Sequence, residues 1–278
     1  MDARKQLGQA LKRRRKHSGM SGEQLANLLE TTQSKVSRTE NGVFRPDLNV
    51  VRRWLEITAT GPAETEQILK LADTAATEIA EYRDIFRGSL ANSQRALIAQ
   101  DANANRILHF QPFQIPGPMQ TEAYARNALL AARTDEAGLD EAVEARLLRG
   151  AKLMESDSPA YHVLVTEPAL YYRPMGVTKL DQVTAWRKII LFCQAPRVTV
   201  QVIPIDAEFR QAPMCAFVLT YFRDPVDQTI VQVELPAVEL TFGTLADIER
   251  FEYTWSCMTE SALDPKRSKQ LLQRLAAP

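Results

Sequence analysis

The sequence contains few cysteines and few histidines. Its three cysteines, in a chain of 278 residues, are far apart and show neither metal-site spacing nor a CxxC pair. We therefore expect buried free thiols at Cys193, Cys215 and Cys257. The three histidines are equally scattered, at His17, His109 and His162. These absences predict a protein with no bound metal and no cofactor.

The sequence also lacks any segment that could direct it into or across a membrane. No run of about 18 or more apolar residues occurs. Residues 1–16 carry charges throughout and do not contain the apolar core of a secretory signal. We expect a cytoplasmic protein that has no membrane partner.

Net charge is absent as well, because 34 Lys and Arg balance 34 Asp and Glu. A net charge of zero would by itself argue against a nucleic-acid partner, but the charges are unevenly distributed. Residues 1–60 hold 12 Lys and Arg against 6 Asp and Glu, whereas residues 61–278 hold 22 against 28. Positive charge is therefore concentrated at the N-terminal end, as phosphate binding requires.

The first 75 residues carry the pattern of five short helices. The second helix is predicted to begin at Ser21, which can form a capping box with Gln24. A third helix of about three turns begins at Thr32, after a tight turn, and ends before Gly42, where glycine can adopt the left-handed conformation. Val36 is its main apolar anchor. Two short helices joined in this way are typical of a helix-turn-helix.

The third helix presents short polar side chains, as a helix that enters the major groove of DNA must. Gln33 can form a bidentate pair with an adenine edge, and Lys35 and Arg38 can reach guanine or phosphate. Ser34 and Ser37 can bond to either. The alternative is that this segment is an exposed amphipathic helix of a purely helical interaction domain. That alternative explains the polar residues, but it does not explain the capped short helix and the local positive charge together. The complete set of predicted DNA-contacting residues is Arg13, Arg14, Gln24, Gln33, Ser34, Lys35, Ser37, Arg38 and Arg45.

Two segments of this region, MSGEQLA from residue 20 and TQSKVSRTENG from residue 32, resemble the Cro and phage-repressor type of helix-turn-helix. This type is also called the xenobiotic-response-element family, and the resemblance covers about residues 5–58. It implies that Gln33 contacts a base and that the groove or the phosphates are lined by Ser34, Lys35, Ser37 and Arg38. The chain departs from the family pattern at Glu30, where glycine often makes the turn, and at Thr39, where isoleucine often packs.

The remainder of the chain is predicted to form a helical connector, residues 76–110, and an α+β domain, residues 111–278. Segments rich in branched and aromatic residues and bounded by Pro, Asp or Gly predict strands at 161–166, 198–203, 215–222 and 229–235. Helices are predicted at 121–133, 139–155, 179–193 and 245–258. The predicted fold class is an N-terminal all-α domain of residues 1–75, followed by a larger α+β domain with a mostly antiparallel sheet.

Three segments of this second part, residues 115–126, 143–147 and 198–204, resemble the C-terminal domain of actinobacterial WhiJ-like regulators. The resemblance covers about residues 82–275 and departs at Pro118, which is usually an aliphatic position. It implies a regulator of development or antibiotic control, often encoded beside a small protein that antagonises it in an antitoxin-like arrangement.

The densest cluster of polar and aromatic residues after a predicted strand consists of Glu167, Tyr171, Tyr172 and Arg173. These groups could line a ligand or partner pocket, or they could be ordinary surface groups at a strand-to-helix turn. No Gly-rich phosphate loop, HExxH motif, nucleophile elbow or paired Ser and His spacing occurs. We therefore predict no enzyme. A pocket for a small-molecule effector or a docking surface for a small protein ranks above the alternative, an enzymatic domain fused to a DNA-targeting one.

These inferences together predict a sequence-specific, repressor-type transcription regulator that binds a double-stranded DNA operator. One short recognition helix covers only about half a site, and regulators of this type contact two half-sites about 34 Å apart through a twofold axis. We therefore expect a homodimer controlled by a small protein antagonist or a small-molecule effector.

Overall fold

The N-terminal helices follow the sequence prediction closely. The computed structural model describes residues 3–42, 47–76, 78–81, 90–131, 138–211, 215–224, 227, 229–235 and 238–277. The first five helices are α1 Ala3–His17, α2 Gly22–Leu28, α3 Gln33–Glu40, α4 Leu48–Ile57 and α5 Pro62–Ala76. The predicted all-α N-terminal region is confirmed.

Local capping fixes the ends of α2 and α3. The Ser21 hydroxyl accepts a hydrogen bond from the backbone N–H of Gln24 at 3.1 Å, and Gln24 Oε1 accepts one from the backbone N–H of Ser21 at 2.8 Å. Both halves of the capping box are therefore present. Thr32 Oγ1 accepts from the Lys35 N–H at 3.3 Å at the start of α3. After α3, Gly42 has a φ of 69°, which is the left-handed conformation predicted for the glycine that ends this helix.

The turn between α2 and α3 is made by a residue in the left-handed conformation. Glu30 has φ of 55°, which is the geometry that favours glycine at this position. The Thr31 N–H donates to the Ala26 carbonyl at 2.9 Å and closes the end of α2. Thr39, the second departure from the family pattern, is buried in the place of an apolar side chain. Both departures therefore leave the local structure of the motif in place.

The chain comprises two compact units. The first comprises Met1–Ile79, Phe222–Ile230 and Thr241–Ile248, and the second comprises Ala80–Tyr221, Val231–Leu240 and Glu249–Pro278. The core of the first unit is built from apolar side chains of the helices α1 to α5. Those with the least exposure are Leu11, Leu25, Ala26, Val36, Val51, Trp54 and Leu55.

The second part of the chain alternates helices and strands. Its helices are α6 Leu90–Asn103, α7 Glu122–Ala131, α8 Leu139–Leu153, α9 Glu167–Tyr171, α10 Lys179–Phe192, α11 Leu245–Ser261 and α12 Pro265–Leu275, with a 3₁₀ turn at Gly117–Met119. Its strands are β1 Glu78–Glu81, β2 Ala104–Gln111, β3 Ala160–Thr166, β4 Val198–Ile203, β5 Phe217–Phe222, β6 Ile230–Glu234 and β7 Val238–Phe242. Among the described residues these strands form one sheet in the order β1-β7-β6-β5-β2-β3-β4. The predicted α+β class is confirmed.

Three neighbouring strands of the sheet, β2, β3 and β4, are parallel. Val163 in the central strand β3 is paired with His109 of β2 on one side and with Val200 of β4 on the other. The consecutive residues Val163, Leu164 and Val165 are all buried, as expected for a parallel strand covered on both faces. The sheet is therefore mixed, and the prediction of a mostly antiparallel sheet holds only in outline.

The segment predicted as a helical connector, residues 76–110, contains strands as well as a helix. Strand β2 begins at Ala104, directly after α6 ends at Asn103, with neither glycine nor proline between them. Because no such residue marks the end of the helix, the sequence predicts a helical connector that continues through this boundary. The strand is part of the structural core, since Ile107, Leu108 and Phe110 are buried.

A buried polar cluster joins α6, α8 and the parallel strands. Arg149 donates to Asp101 through Nε at 2.6 Å and through Nη2 at 3.1 Å, and both residues are buried. Nearby, His109 Nδ1 lies 2.8 Å from the Tyr161 hydroxyl. Burial, together with the positive charge of Arg149, lowers the pKa of His109 to about 3. His109 is therefore neutral in the folded protein at physiological pH.

Candidate nucleic-acid interface

One face of α3 is buried and the other carries the polar side chains predicted to read DNA. Val36 and Thr39 are buried against the remainder of the first unit. Gln33, Ser34 and Arg38 are exposed, and the neighbouring Ser37 and Lys35 are partly buried. The structure therefore brings the five predicted residues of α3 together on one short helix whose N-terminal cap is intact. Their contacts with DNA stay a prediction.

Helix α1 packs closely against the C-terminal end of α3. A Cβ atom at Gly8 would lie 2.5 Å from the Thr39 carbonyl oxygen and 2.6 Å from that of Glu40, so only glycine allows this approach. Arg15 Nη2 donates to Glu40 Oε2 at 2.8 Å, and Arg15 Nε donates to the other carboxylate oxygen. The hydrogen bonds to Glu40 raise the pKa of Arg15. The orientation of α3 therefore depends on α1.

The remaining predicted DNA contacts lie in different environments. Arg13 and Gln24 are exposed, although the Gln24 side chain also completes the capping box of α2. Arg14 Nε donates to Thr60 Oγ1 at 3.0 Å, and Arg14 Nη1 donates to Glu64 Oε2 at 3.1 Å. Arg14 thus joins α1 to the start of α5 and is turned towards protein groups. Arg45 lies outside the described residues.

Lys35 is held by two carboxylates of the same unit. Its Nζ lies 3.0 Å from Asp227 Oδ1 and also forms an ion pair with Asp224. The Lys35 side chain is only 13% exposed, and that of Asp227 is 15% exposed. The Asp227 N–H donates to the Asp224 carbonyl at 2.9 Å, so the two aspartates are also linked through their backbone. Sequence analysis missed them because they are separated from Lys35 by almost 200 positions, and a turn sequence such as Arg-Asp-Pro-Val-Asp predicts only local structure.

The second unit contains a cavity of about 850 Å³ beside the carboxyl ends of β3 and β4. Glu167, Pro204 and Asp206 follow these two strands and line one side of it. Helix α12 supplies the other side, including Arg267 and Arg274. The lining therefore carries two cationic and two anionic side chains. The carboxyl ends of parallel strands are a frequent location of ligand sites in α/β sheets.

Of the four residues predicted to form a pocket, Glu167 lies at this cavity. Its Oε2 accepts from the Ile205 N–H at 3.1 Å, which joins the start of α9 to the segment after β4. Tyr171, Tyr172 and Arg173 are exposed and do not belong to the cavity lining. The Tyr171 ring packs edge-on against Trp186 with ring centroids 6.1 Å apart. The ligand or partner role of all four residues stays a prediction.

Three further features concern the described residues alone. Within them, no group of three or more His, Cys, Asp or Glu side chains is arranged to hold a metal ion. None of the helices in the described ranges has the length and apolar character needed to cross a bilayer. All three cysteines are free; Cys257 is buried as expected, whereas Cys193 and Cys215 are partly buried.

Comparisons with known proteins identify both parts of the chain. Residues 6–68 match a family described as a helix-turn-helix domain, which confirms the motif predicted over residues 5–58. Residues 94–274 match a family described as a domain of unknown function, DUF5753. No curated protein matches this chain significantly. A solved structure of TrmBL2, described as an archaeal chromatin protein with a novel mode of DNA binding, is 11% identical over 88% of each chain, with a TM-score of 0.31. A TM-score this low does not establish a common fold.

Proposed function

The chain belongs to the DUF5753 family, and we propose that this member is a sequence-specific DNA-binding transcription regulator of the cytoplasm. The observation that carries the proposal is the structure of α3 in a helix-turn-helix domain. This helix is anchored by Val36, capped by Thr32 and exposes Gln33, Ser34 and Arg38 at one surface. That is the arrangement with which a recognition helix enters the major groove.

Each polar side chain of α3 is assigned a role by its chemistry. Gln33, in the first turn, forms a bidentate pair with an adenine edge, and Arg38 reaches guanine or phosphate. Ser34 and Ser37 bond to base edges or phosphates, and Lys35 supplies a further cation. Arg13 is exposed on α1, and its proposed role is to contact the phosphate backbone and fix the register of the protein on the duplex.

We further propose that the regulator acts as a repressor-type homodimer. The support is geometric, because one recognition helix covers about half of a twofold-symmetric operator. The resemblance to actinobacterial WhiJ-like regulators supports an antitoxin-like arrangement, in which a small protein encoded nearby antagonises the regulator.

A second role, the binding of an effector, is favoured by the cavity next to β3 and β4. Its volume of about 850 Å³ lies within the range of pockets that enclose small molecules. The lining contains Arg267 and Arg274 together with Glu167 and Asp206, which suits a ligand that carries groups of both charges. A thermal-shift screen of small metabolites with wild type and an Arg267→Ala/Arg274→Ala variant tests this role. Stabilisation of both proteins by the same compound would place its site elsewhere.

We propose that the second unit binds and does not catalyse. His109 is buried and neutral, and His162 Nε2 lies 2.7 Å from Gln201 Oε1 in a structural contact. Both imidazoles are therefore engaged in packing and hydrogen bonding rather than at the cavity. The alternative, a DNA-targeted enzyme, predicts substrate turnover that depends on residues of the cavity lining.

Selection from a randomised pool of DNA tests the proposed function. Wild type should enrich a twofold-symmetric site, and Gln33→Ala should not enrich it. Gln67→Ala is a matched control, since Gln67 is an exposed glutamine on α5, away from α3. Enrichment by none of the three folded proteins would overturn the proposal.

A further inference from the structure

Lys35 stands on the recognition helix, yet its ammonium group already has anionic partners. Asp224 and Asp227, which we call the acidic pair, both contact Lys35 Nζ. The side chains of Lys35, Asp227 and Asp224 are 13%, 15% and 35% exposed, so the contacts are largely shielded from water. The ammonium group of a lysine on an ordinary exposed helix surface would extend into solvent.

The acidic pair offers Lys35 the same chemistry that DNA would offer. Carboxylate and phosphate oxygens are both anionic acceptors for an ammonium group. Lys35 Nζ is already ion-paired with two carboxylates, so a phosphate or a base edge of bound DNA would have to compete with them for this ammonium group. The two carboxylates also add negative charge beside α3, where the DNA phosphates would approach.

We propose that the acidic pair is an autoinhibitory element that competes with DNA for Lys35, so that DNA binding requires its release. This inference rests on the proposed function of α3. In the inhibited form, in which the acidic pair contacts Lys35, the two carboxylates neutralise the ammonium group and occupy the side of α3 on which Lys35 lies. Release of the pair exposes Lys35 and removes two negative charges from the approach of the duplex. Anything that moves Asp224 and Asp227 away from Lys35 therefore alters DNA affinity.

The first test measures DNA affinity without the acidic pair. Asp224→Asn/Asp227→Asn keeps the size of both side chains and removes their charge. This variant should bind the selected operator about tenfold more tightly than wild type, as expected for two partly shielded ion pairs. A matched control, Glu66→Gln/Asp73→Asn, removes the same charge from exposed positions on α5 and should change the affinity far less. In a Lys35→Ala background, removal of the acidic pair should give a much smaller gain.

The second test examines Lys35 in the absence of DNA. Reductive methylation, followed by mass spectrometry, reports how accessible each lysine is. Lys35 should react slowly in wild type and faster in the Asp224→Asn/Asp227→Asn variant. Lys70, whose side chain is 76% exposed, should react rapidly in both proteins and serves as the internal reference.

The outcomes separate this inference from the proposed function. Equal operator affinity of wild type and the Asp224→Asn/Asp227→Asn variant, or equally rapid methylation of Lys35 and Lys70 in wild type, would overturn the inference and leave the DNA-binding function intact. Absence of specific DNA binding by both proteins, with Lys35 still shielded from methylation, would overturn the proposed function and the inference with it.

Discussion

Lys35 Nζ lies 3.0 Å from Asp227 Oδ1, so a cation of α3 is engaged by a carboxylate of its own unit. A DNA phosphate would compete with the carboxylates of Asp224 and Asp227 for the same ammonium group. In the proposed autoinhibition, the balance between these two contacts sets the affinity for DNA. The other side chains of α3 and the contacts that orient this helix lead to separate predictions.

Arg38 is exposed near the C-terminal end of α3, where a guanidinium can reach the DNA backbone. If it meets a phosphate, Arg38→Ala should weaken binding of all DNA sequences to a similar extent. The slope of log K against log salt concentration should then decrease by about 1 in magnitude, since one fewer counterion is released. Anisotropy titrations at several salt concentrations measure this slope. A loss confined to the selected operator, with an unchanged slope, would assign Arg38 to a base contact.

The Arg15–Glu40 pair should contribute to stability far more than an exposed pair. Arg15 and Glu40 are 13% and 5% exposed, and Glu40→Gln leaves the guanidinium without its anionic partner. We expect a loss of about 3 kcal/mol in the free energy of unfolding, measured by urea denaturation. Glu56→Gln is the matched control, because its pair with Arg53 is more than half exposed and should contribute less than about 1 kcal/mol. Equal effects of the two variants would contradict this account of how α1 orients α3.

The close approach of α1 to α3 should not tolerate a side chain at Gly8. Alanine favours helix more than glycine does, yet its Cβ would lie 2.5 Å from the Thr39 carbonyl oxygen. Gly8→Ala should therefore destabilise the protein by about 1 to 3 kcal/mol. Gly22→Ala is the control, since a Cβ there would meet its nearest neighbour at an ordinary 3.6 Å. A melting temperature for Gly8→Ala equal to or above that of wild type would refute the close approach.

The motif was predictable because its determinants are local. Ser21 and Gln24, three positions apart, cap α2, while Thr32 and Gly42 mark the ends of α3, and each acts on backbone groups within a few residues. The contacts that the sequence did not reveal are long-range. The engagement of Arg14 by Thr60 and Glu64, and that of Lys35 by its two aspartates, depend on tertiary structure. Sequence alone therefore identified the helix-turn-helix, but not that Arg14 and Lys35 are paired with groups of the protein.

In the second unit, too, the sequence predicts local structure but not long-range contacts. The branched residues of β3 predict a strand, because Val163 and Val165 belong to a short apolar segment that lies between Pro159 and Pro168. Its parallel pairing with β2 was not predictable, since Ala104 follows a helix without a break. The cavity lining includes Arg267 and Arg274, which are more than 90 positions from Glu167 and carry no motif.

Acidification should destabilise the protein through His109. Its folded pKa of about 3 lies below the unfolded value of about 6.5, so the unfolded state binds more protons between these values. The contribution to stability is present above about pH 6.5 and is lost as the pH falls towards 3. Between pH 7 and pH 5 we expect a loss of about 2 kcal/mol from this residue. Urea denaturation of wild type and His109→Gln, which retains a polar partner for Tyr161, should show a smaller loss in the variant.

The central claim, that α3 reads DNA sequence, is tested most directly by Gln33→Ala on operators that differ by one base pair. Gln33 is exposed, so the variant should fold with nearly the stability of wild type. Wild type should discriminate against one substituted base pair by about 1 to 3 kcal/mol, and the variant should lose this discrimination at that position while retaining it elsewhere. Equal discrimination by both folded proteins at every position would contradict the assignment of α3 as the recognition helix through Gln33.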